Sequence, residues 1–345
     1  MKNNVAVIGN GKIGRVIASL LRSENYNVVI GDAVQSQGVV SLDASDETQL
    51  EHFLQGKDAV CSAAPYYLNK AIANVASRLG VAYFDLTEDV EVTDYIKNLD
   101  TKTFMMPQCG LAPGAVNIIG SNLIKDFDEA HDVQMRVGAL PRYPSNEMSY
   151  YLTWSTNGLI NEYCNLCDVI ADGKKLKIPP LDGVERIYID GRRYEAFNTS
   201  GGVATMCETF EGKVKTLSYK TIRYPGHRDK MNFLLQDLNL KSNKDKIGDL
   251  FDQTVPYTTE DVVVMLIKVI GMKNGKLLEK SYQKNIFGKD GMSAIQRSTA
   301  SGVCANIVSY CRDELTGEGF IKQEDVDWKT FISNKFGQVY VEWVT

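Results

Sequence analysis

The chain has 345 residues, a length that predicts two domains, and its 44% of hydrophobic and 23% of charged residues are typical of a globular protein. Its net charge of −5 argues against nucleic acid and anionic membranes as partners, and no apolar run reaches the ~20 residues that a membrane helix needs. Because the seven cysteines are an odd number scattered along the chain, we expect reduced thiols and a cytoplasmic location.

Short apolar runs alternate with helical patterns over roughly the first 120 residues, as they do in βαβ units. The runs predict six strands, at residues 5–8, 28–30, 39–42, 59–63, 81–85 and 103–106. The helical patterns lie between them, at residues 12–21, 48–54 and 68–79. Strands joined by helical crossovers predict an α/β Rossmann domain with a doubly wound sheet over residues 1–125.

A glycine-rich turn follows the first strand and opens the first helix. Its sequence, G-x-G-x-x-G, is supplied by Gly9, Asn10, Gly11, Lys12, Ile13 and Gly14. In a dinucleotide site the first glycine permits the tight turn, the second lets the backbone approach the pyrophosphate, and the third lets the helix pack on the strand. The helix N-terminus adds free N–H groups for the phosphates. The turn therefore predicts a dinucleotide cofactor in contact with these six residues.

The second strand ends in an acidic residue, Asp32, eighteen residues after Gly14. A carboxylate at this position accepts hydrogen bonds from the adenosine ribose and repels a 2′-phosphate. Since no arginine occurs among the next four residues to neutralise a phosphate, we predict NAD rather than NADP as the cofactor.

Two further loops are expected to line the cofactor. Asp43 and Ala44 follow the third strand, on the side of the adenine and its ribose. Ala63, Ala64 and Pro65 follow the fourth strand, where small side chains leave room for the nicotinamide half. Ordinary turns between a strand and a helix have the same features, so both interpretations stay open for each loop.

The pattern changes near residue 130, where apolar residues alternate as in strands with one buried face. Long strands are predicted at residues 186–189, 194–197, 216–223 and 262–270, and several hairpin dipeptides accompany them. We predict a second, α+β domain over residues 126–292, built on a mixed, largely antiparallel sheet, for substrate binding and possible dimerisation. A helical pattern at 298–315 predicts that residues 293–345 pack back on the first domain.

Cys164 and Cys167 have the C-x-x-C spacing of a metal or redox pair. A zinc site would need a second pair or nearby histidines, and none of the three histidines lies at ligand spacing. We interpret both cysteines as small apolar helix residues and predict no metal site.

Three further segments resemble the saccharopine dehydrogenase family, which contains saccharopine reductases and lysine 6-dehydrogenases. The Gly-Leu-Ala-Pro-Gly loop at 110–114 is similar to the loop that joins the two domains in this family. Residues 151–155, with 159–160 and 162–163, are similar to its Trp-Ser helix start, and Arg-Tyr-Pro-Gly-His at 223–227 to a strand end near the substrate. The resemblance covers nearly the whole chain, and we expect Gly110 and Leu111 at the cofactor.

Details within these segments favour one branch of the family. Saccharopine reductases have an aspartate before the proline of the joining loop, where this chain has Ala112. The aromatic-Pro-Gly-His run is more similar to lysine 6-dehydrogenase. The Trp-Ser pair is followed by Thr156 and Asn157, where the family usually has a proline.

The resemblance implies an oxidoreductase that acts on the CH–NH group of a small amino acid with a lysine skeleton. A neutral amine releases a hydride from its carbon to the nicotinamide, and the resulting imine is hydrolysed to an aldehyde. Lysine would lose ammonia and saccharopine would lose glutamate. The resemblance favours lysine 6-dehydrogenase, with saccharopine dehydrogenase as the alternative.

Three residues are candidates for the catalytic base that takes a proton from the substrate amine. His227 follows a Pro-Gly turn that can present it to a cleft, although it would equally suit a surface helix N-terminus. Asp85 ends the fifth strand and would otherwise cap the next helix. Glu208 lies in a glycine-flanked helical segment, where a solvated helix face is the alternative.

Four residues are candidates for substrate binding. Arg223 and Arg142 can each bind the substrate carboxylate with two parallel hydrogen bonds, although surface ion pairs are the commoner use of arginine. Tyr151 and Trp154 can wall the aliphatic part of the substrate, or else pack in the core. We expect Arg223 at the carboxylate and His227 near the reacting amine.

Two other functions fit the same turn and fold class. One is a polyamine or opine-type dehydrogenase, and the other is a non-catalytic NAD-sensing binding protein. A sensor has no need of an arginine, a carboxylate and a histidine that converge in the second domain, so their convergence separates the two classes. In either case we expect a homodimer or a larger homo-oligomer.

Overall fold

The computed structural model describes residues 2–342, with only the backbone of residue 245, and the chain divides into two compact units. Unit 1 comprises residues 1–118 and 296–345, and unit 2 comprises residues 119–295. The sequence pattern, for comparison, predicts divisions after residues 125 and 292.

The first segment of the chain alternates strands and helices. Its strands are β1 (Asn4–Ile8), β2 (Asn27–Asp32), β3 (Val40–Ser41), β4 (Ala59–Ser62), β5 (Ala82–Asp85) and β6 (Phe104–Met106). Its helices are α1 (Gly14–Arg22), α2 (Glu47–Leu54), α3 (Asn69–Leu79), α4 (Val90–Lys97) and α5 (Ala115–Ile124). All six predicted strands occur, with ends shifted by one or two residues. No range was predicted for helix α4, which Asp89 caps by accepting a hydrogen bond from the Val92 N–H.

The second segment is richer in strands. They are β7 (Glu129–Pro141), β8 (Cys167–Ala171), β9 (Lys174–Ile178), β10 (Glu185–Ile189), β11 (Arg192–Asn198), β12 (Thr216–Arg223), β13 (Asp261–Lys273) and β14 (Lys276–Phe287). The helices are α6 (Thr156–Cys164), α7 (Met206–Phe210), α8 (His227–Asn232) and α9 (Lys244–Thr254). Cys164 ends α6, whereas Cys167 begins β8, so the interpretation of both cysteines as helix residues is wrong for Cys167.

The last segment contains α10 (Ala294–Cys311), β15 (Gly319–Phe320) and α11 (Trp328–Phe331). Helix α10 begins four residues before the predicted start at 298. The reason is a distant cap, because the Asp261 carboxylate accepts hydrogen bonds from the N–H groups of Ala294 and Ile295. Such a cap stabilises the first turn but leaves no local signature in the sequence.

Unit 1 is built on a parallel sheet with the strand order β15-β6-β5-β4-β1-β2-β3. The apolar run Val5, Ala6 and Val7 in β1 is fully buried at the centre of this sheet. Strand order reverses between β1 and β4, and in such sheets the ligand crevice lies at the carboxyl ends of the strands beside that reversal. The predicted Rossmann fold class is confirmed.

Unit 2 is built on a mixed sheet with the order β10-β11-β12-β7-β13-β14, and β8 pairs with both β12 and β9. Among the described pairings of this sheet, only that of β12 with β7 is parallel, which confirms a mixed and largely antiparallel sheet. In the register of β11 with β12, Glu195 faces Arg223 and Phe197 faces Thr221. Because alternate residues of a strand share a face, these four side chains lie on one face of the sheet.

Among the described residues, no helix is long and apolar enough to cross a membrane. The same residues contain no group of three or more His, Cys, Asp or Glu side chains that could hold a metal ion.

Candidate cofactor and substrate sites

Two of the three glycines in the turn after β1 are required by the packing of unit 1. Gly9 has φ +103°, and a Cβ there would lie 2.6 Å from the Ala63 carbonyl oxygen. A Cβ at Gly14 would lie 1.9 Å from the Gly9 carbonyl oxygen. Both distances are far below van der Waals contact, so the fold itself excludes larger residues at these positions.

Gly11 differs from both. Its φ lies outside the left-handed region, and a Cβ built on it meets no described atom within 4 Å. Neither backbone conformation nor packing therefore requires glycine here. In the part of the chain that the structure describes, no side chain caps the N-terminus of α1, and the first turn of this helix contains no acidic residue. Open space beside uncapped N–H groups is the arrangement that a pyrophosphate needs, so the turn fits the diphosphate of a dinucleotide.

Asp32 lies at the carboxyl end of β2, half-buried beside the turn. Its two carboxylate oxygens accept hydrogen bonds from the backbone N–H groups of Asn10 (2.6 Å) and Val34 (2.7 Å). The carboxylate thereby ties the glycine turn to the loop after β2. Asn10 Nδ2 also donates to Ser36 Oγ, and Gln296 Nε2 donates to the Lys12 carbonyl. Gln296 was not predicted at this turn, since nothing near position 296 in the sequence signals a contact with residue 12.

The remaining predicted cofactor residues occupy the loops of unit 1. Asp43 is exposed, and hydrogen bonds from the Ser45 hydroxyl and N–H lower the pKa of its carboxyl. The other predicted cofactor residues of these loops differ in their exposure. The half-buried or exposed residues are Ala63, Ala64 and Pro65, whereas Ala44 and Leu111 are buried. Gly110 is also buried, and its carbonyl oxygen would lie 2.5 Å from a Cβ at Gly302 of α10.

Asp85 lies in the interior of unit 1 with 0% exposure. Its carboxyl accepts hydrogen bonds from Tyr83 Oη (2.7 Å), Asn69 Nδ2 (3.2 Å) and the N–H groups of Thr87 and Gln108 (3.0 and 2.8 Å). Burial raises the pKa of Asp85 to about 6, and the hydrogen bonds from Gln108, Tyr83 and Thr87 act against this shift. The residue joins α3, β5 and the chain after β6.

The alternative interpretation of Asp85 as a helix cap is wrong. Asp89, not Asp85, caps α4. A second buried hydrogen bond, from Ser62 Oγ to Asn69 Oδ1 (2.6 Å), extends the Asp85 network to the end of β4.

Arg223 and His227 come together in the interior of unit 2 through a shared tyrosine. Arg223 Nε donates to Tyr163 Oη (2.8 Å), and the same hydroxyl lies 3.1 Å from His227 Nε2. Arg223 Nη1 donates to the Ile222 carbonyl, and His227 Nδ1 lies 3.0 Å from the Met148 carbonyl. Arg223 is 2% exposed and His227 is 0% exposed. The alternative of a surface histidine is therefore wrong, although His227 does begin α8.

Burial lowers the pKa of His227 to about 3, and the charge of Arg223 acts in the same direction. The imidazole is therefore neutral at physiological pH. Both ring nitrogens are engaged, Nδ1 by the Met148 carbonyl and Nε2 by the Tyr163 hydroxyl.

Glu162 completes this group, which we call the Arg223 cluster: Tyr150, Glu162, Tyr163, Arg223 and His227. Glu162 Oε2 lies 3.9 Å from Arg223 Nη2, and both side chains are less than a tenth exposed. Burial raises the pKa of the Glu162 carboxyl to about 7, while the Arg223 charge acts against that shift. The guanidinium also lies 5.1 Å from the ring centre of Tyr150.

Helix α6 brings Glu162 and Tyr163 to the cluster. Ser155 caps this helix by accepting a hydrogen bond from the Gly158 N–H, which explains the helix start after the Trp-Ser pair. Glu162 and Tyr163 belong to a segment that resembles the family, but no role was predicted for either residue.

The catalytic candidate Glu208 and the substrate-binding candidate Arg142 make no described contact with the Arg223 cluster. Glu208 is partly exposed and forms an ion pair with Lys175 (3.3 Å). Arg142 is exposed, and its guanidinium lies 5.2 Å from the ring centres of Tyr143 and Phe287.

The two predicted aromatic residues differ in their partners. Tyr151 Oη accepts a hydrogen bond from the Ser145 N–H. Trp154 packs against the apolar core that contains Tyr150 and Tyr163. The neighbouring Tyr150, rather than Tyr151, reaches Arg223.

Two family models match the chain and together span most of it. The saccharopine dehydrogenase NADP binding domain matches residues 5–109, and the saccharopine dehydrogenase C-terminal domain matches residues 110–336. Over 199 residues the chain is 23% identical to saccharopine dehydrogenase (NADP(+), L-glutamate-forming) of Saccharomyces cerevisiae. The matched stretch is 50% of this chain and 43% of that protein, so it spans less than half of the relative.

Two solved structures share the fold. Apo saccharopine dehydrogenase (L-Glu forming) from Saccharomyces cerevisiae has a TM-score of 0.76 at 14% identity, and 95% of each chain is covered. DAP dehydrogenase of C. glutamicum, solved in complex with DAP, has a TM-score of 0.53 at 11% identity, with 99% of each chain covered. At these identities the similarity is one of architecture.

The raised pKa of Asp85 makes the stability of unit 1 depend on pH. Between about pH 4 and pH 6 the folded protein keeps the Asp85 proton, whereas the unfolded chain has released it. We expect the free energy of unfolding to fall by about 2–3 kcal/mol as pH rises through this window, and the Asp85→Asn variant to lack that contribution. Denaturant unfolding from pH 4 to pH 7 measures the free energy of unfolding of both proteins. If this free energy changed with pH in the same way in the wild type and in Asp85→Asn, the expectation would be contradicted.

The open space at Gly11 predicts that a side chain there interferes with a ligand and not with the fold. Gly11→Val should abolish binding of the dinucleotide, seen by calorimetry, while the thermal unfolding temperature stays within a few degrees of wild type. Gly14→Ala is the contrasting variant, because its Cβ would overlap the Gly9 carbonyl and it should destabilise the protein. Retained affinity in Gly11→Val would exclude the turn as the cofactor site.

Proposed function

Because the chain belongs to the saccharopine dehydrogenase family, we propose that it is a nicotinamide-dependent dehydrogenase acting on the CH–NH group of a lysine-type amino acid. L-lysine, oxidised at its ε-carbon, is the substrate we favour. The observation that supports this proposal most is the Arg223 cluster, in which a guanidinium, a carboxyl and a histidine converge inside unit 2. A protein that only senses NAD would gain nothing from that costly arrangement.

In the proposed reaction Arg223 binds the α-carboxylate of the substrate, since a guanidinium can hold a carboxylate with two parallel hydrogen bonds. The ε-amine must lose its proton before its carbon can give up a hydride. In this proposal the Tyr163 hydroxyl, shared by Arg223 and His227, takes the proton of the ε-ammonium and gives its own proton to His227 Nε2. Because the pKa of His227 is about 3, the imidazolium is transient and its proton passes on to solvent. A bound nicotinamide supplies the hydride acceptor.

Glutamate-forming saccharopine dehydrogenase is the second candidate, because the curated relative has that activity in its name. A polyamine or opine substrate would not use an arginine for an α-carboxylate in the same way. Turnover with L-lysine, saccharopine and polyamines, followed by the absorbance of the reduced cofactor, distinguishes these substrates. Absence of turnover with both lysine and saccharopine would contradict the proposal.

We propose NAD as the cofactor in preference to NADP, although the matching family domain is described by NADP binding. The Asp32 carboxylate supports this proposal, because it lies beside the turn and would repel a 2′-phosphate. We expect a lower dissociation constant for NAD than for NADP, and Asp32→Ser should narrow the difference.

Asp58→Asn is the matched control for Asp32→Ser. The Asp58 carboxylate also accepts two backbone hydrogen bonds, from Asn3 and Asn4, but it lies at the opposite end of the sheet, before β4. That variant should keep the cofactor preference of the wild type. Equal or tighter NADP binding to the wild type would refute the assignment.

Kinetics of two conservative variants test the proposed substrate contacts. Arg223→Lys keeps the buried charge but loses the two-pronged geometry, so it should raise KM for lysine about 10-fold or more and leave NAD affinity unchanged. His227→Gln cannot exchange a proton and should lower kcat about 10²–10⁴-fold.

Cadaverine, which is lysine without its carboxylate, is the control substrate for Arg223→Lys. Arg223→Lys should lower kcat/KM much less for cadaverine than for lysine, since cadaverine has no carboxylate for Arg223 to bind. Near wild-type kinetics with lysine in both variants would remove Arg223 and His227 from the reaction and leave Asp85 as the remaining buried candidate.

A further inference from the structure

The Arg223 cluster contains two charged groups whose hydrogen-bonding capacity is only partly used. Glu162 Oε2 is buried and has no hydrogen-bond partner among the described residues. Its distance of 3.9 Å from Arg223 Nη2 exceeds that of a hydrogen bond. The hydrogen bonds of Arg223 within the described part of the chain are made by Nε and Nη1. One oxygen of the acid therefore remains for other partners, and on the base the two N–H groups of Nη2 and the second N–H group of Nη1 remain.

Buried groups of this kind cost free energy unless something binds them. Here the two are of opposite charge, adjacent and held on different elements, Glu162 on α6 and Arg223 at the end of β12. A plain carboxylate would satisfy only the arginine, and it would add a second negative charge beside Glu162. A ligand with a carboxylate and an ammonium side by side would satisfy both groups, and α-amino acids have that arrangement.

We propose that Glu162 binds the α-ammonium group of the amino-acid substrate, next to the α-carboxylate on Arg223. This inference rests on the proposed function and adds to it a residue that selects α-amino acids over amines and simple carboxylates. Bond lengths support the pairing, because the α-nitrogen lies about 2.5 Å from the carboxylate carbon, within reach of two groups 3.9 Å apart. The ε-nitrogen lies several ångströms farther along the chain, which leaves the reacting end to other residues.

The surroundings of Glu162 set the protonation change that should accompany binding. Charged or titratable groups near it are Arg223 on β12, Tyr150 before α6, Tyr163 on α6 and Cys167 at the start of β8. Burial raises the pKa values of the two tyrosines and of the cysteine, so none of the three carries a charge at pH 7. Glu162 is then the group in this cluster that changes charge near neutral pH.

An arriving ammonium group favours the ionised form of Glu162 and should expel its proton. An arriving carboxylate without an ammonium group favours the protonated form and should draw a proton in. The two kinds of ligand therefore predict proton exchange of opposite sign at the same residue.

L-lysine and 6-aminohexanoate test this inference, because the two differ only in the α-amino group. In the wild type, kcat/KM should be about 10–100-fold higher for lysine, the effect of one charge-assisted hydrogen bond. Glu162→Gln should lose most of that preference through a higher KM for lysine, while 6-aminohexanoate is oxidised with an unchanged or raised catalytic efficiency. Glu147→Gln, an exposed site in the segment before α6, is the matched control and should behave as the wild type.

Calorimetry of the wild type loaded with the reduced cofactor, a complex that binds the ligands but cannot oxidise them, gives a second test that needs no variant when it is run in buffers of different ionisation enthalpy. At pH 7, lysine should release protons and 6-aminohexanoate should take them up. Proton uptake with both ligands, or an undiminished preference for lysine in Glu162→Gln, would overturn the role of Glu162 while leaving lysine oxidation intact. A wild type that neither binds nor oxidises lysine would instead overturn the proposed function together with this inference.

Discussion

A guanidinium inside a protein must be compensated, and this requirement governs the arrangement of unit 2. Removing a cation from water costs several kcal/mol unless hydrogen bonds and opposite charge replace the solvent. Arg223 receives that compensation from the Tyr163 hydroxyl, the Ile222 carbonyl, the ring of Tyr150 and the Glu162 carboxyl. Since these groups come from α6, from the segment before it and from β12, the helix must pack against the strand end for the charge to be tolerated.

Unit 1 has a comparable centre, but it is built around a carboxyl and not a cation. Four donors meet Asp85, and three of them come from residues that follow a strand or begin a helix. The network holds the carboxyl ends of β4 and β5 and the chain after β6 in one arrangement. In a doubly wound sheet this is the edge that carries the ligand. The buried network therefore fixes the positions of the strand ends from which the candidate cofactor loops begin.

Unit 1 could be predicted from the sequence to a large extent, because its signals are local. The turn between residues 9 and 14 combines a buried strand, three glycines and an amphipathic helix within about twenty residues. Features that depend on distant partners could not be predicted. Helix α10 begins at a cap supplied by Asp261, and Gln296 reaches back to Lys12, and neither contact leaves a local pattern.

The site in unit 2 was predicted only in part, for the same reason. Arg223 and His227 are four residues apart, so one short motif indicated both of them. Glu162 and Tyr163 lie some 60 residues earlier and meet Arg223 through tertiary packing alone. The motif also could not show that His227 is buried and neutral, since a Pro-Gly turn precedes surface and interior helices alike.

The contrast between the glycines of the turn has a use beyond this chain. Gly9 and Gly14 are fixed by the fold, whereas a side chain at Gly11 would meet no described atom of the protein. In sequences that share this architecture, we expect a larger residue at the position of Gly11, with the other two glycines kept, to mark a chain that folds but does not bind a dinucleotide. The residue at this one position then predicts, from sequence alone, which chains bind a dinucleotide and which keep only the fold.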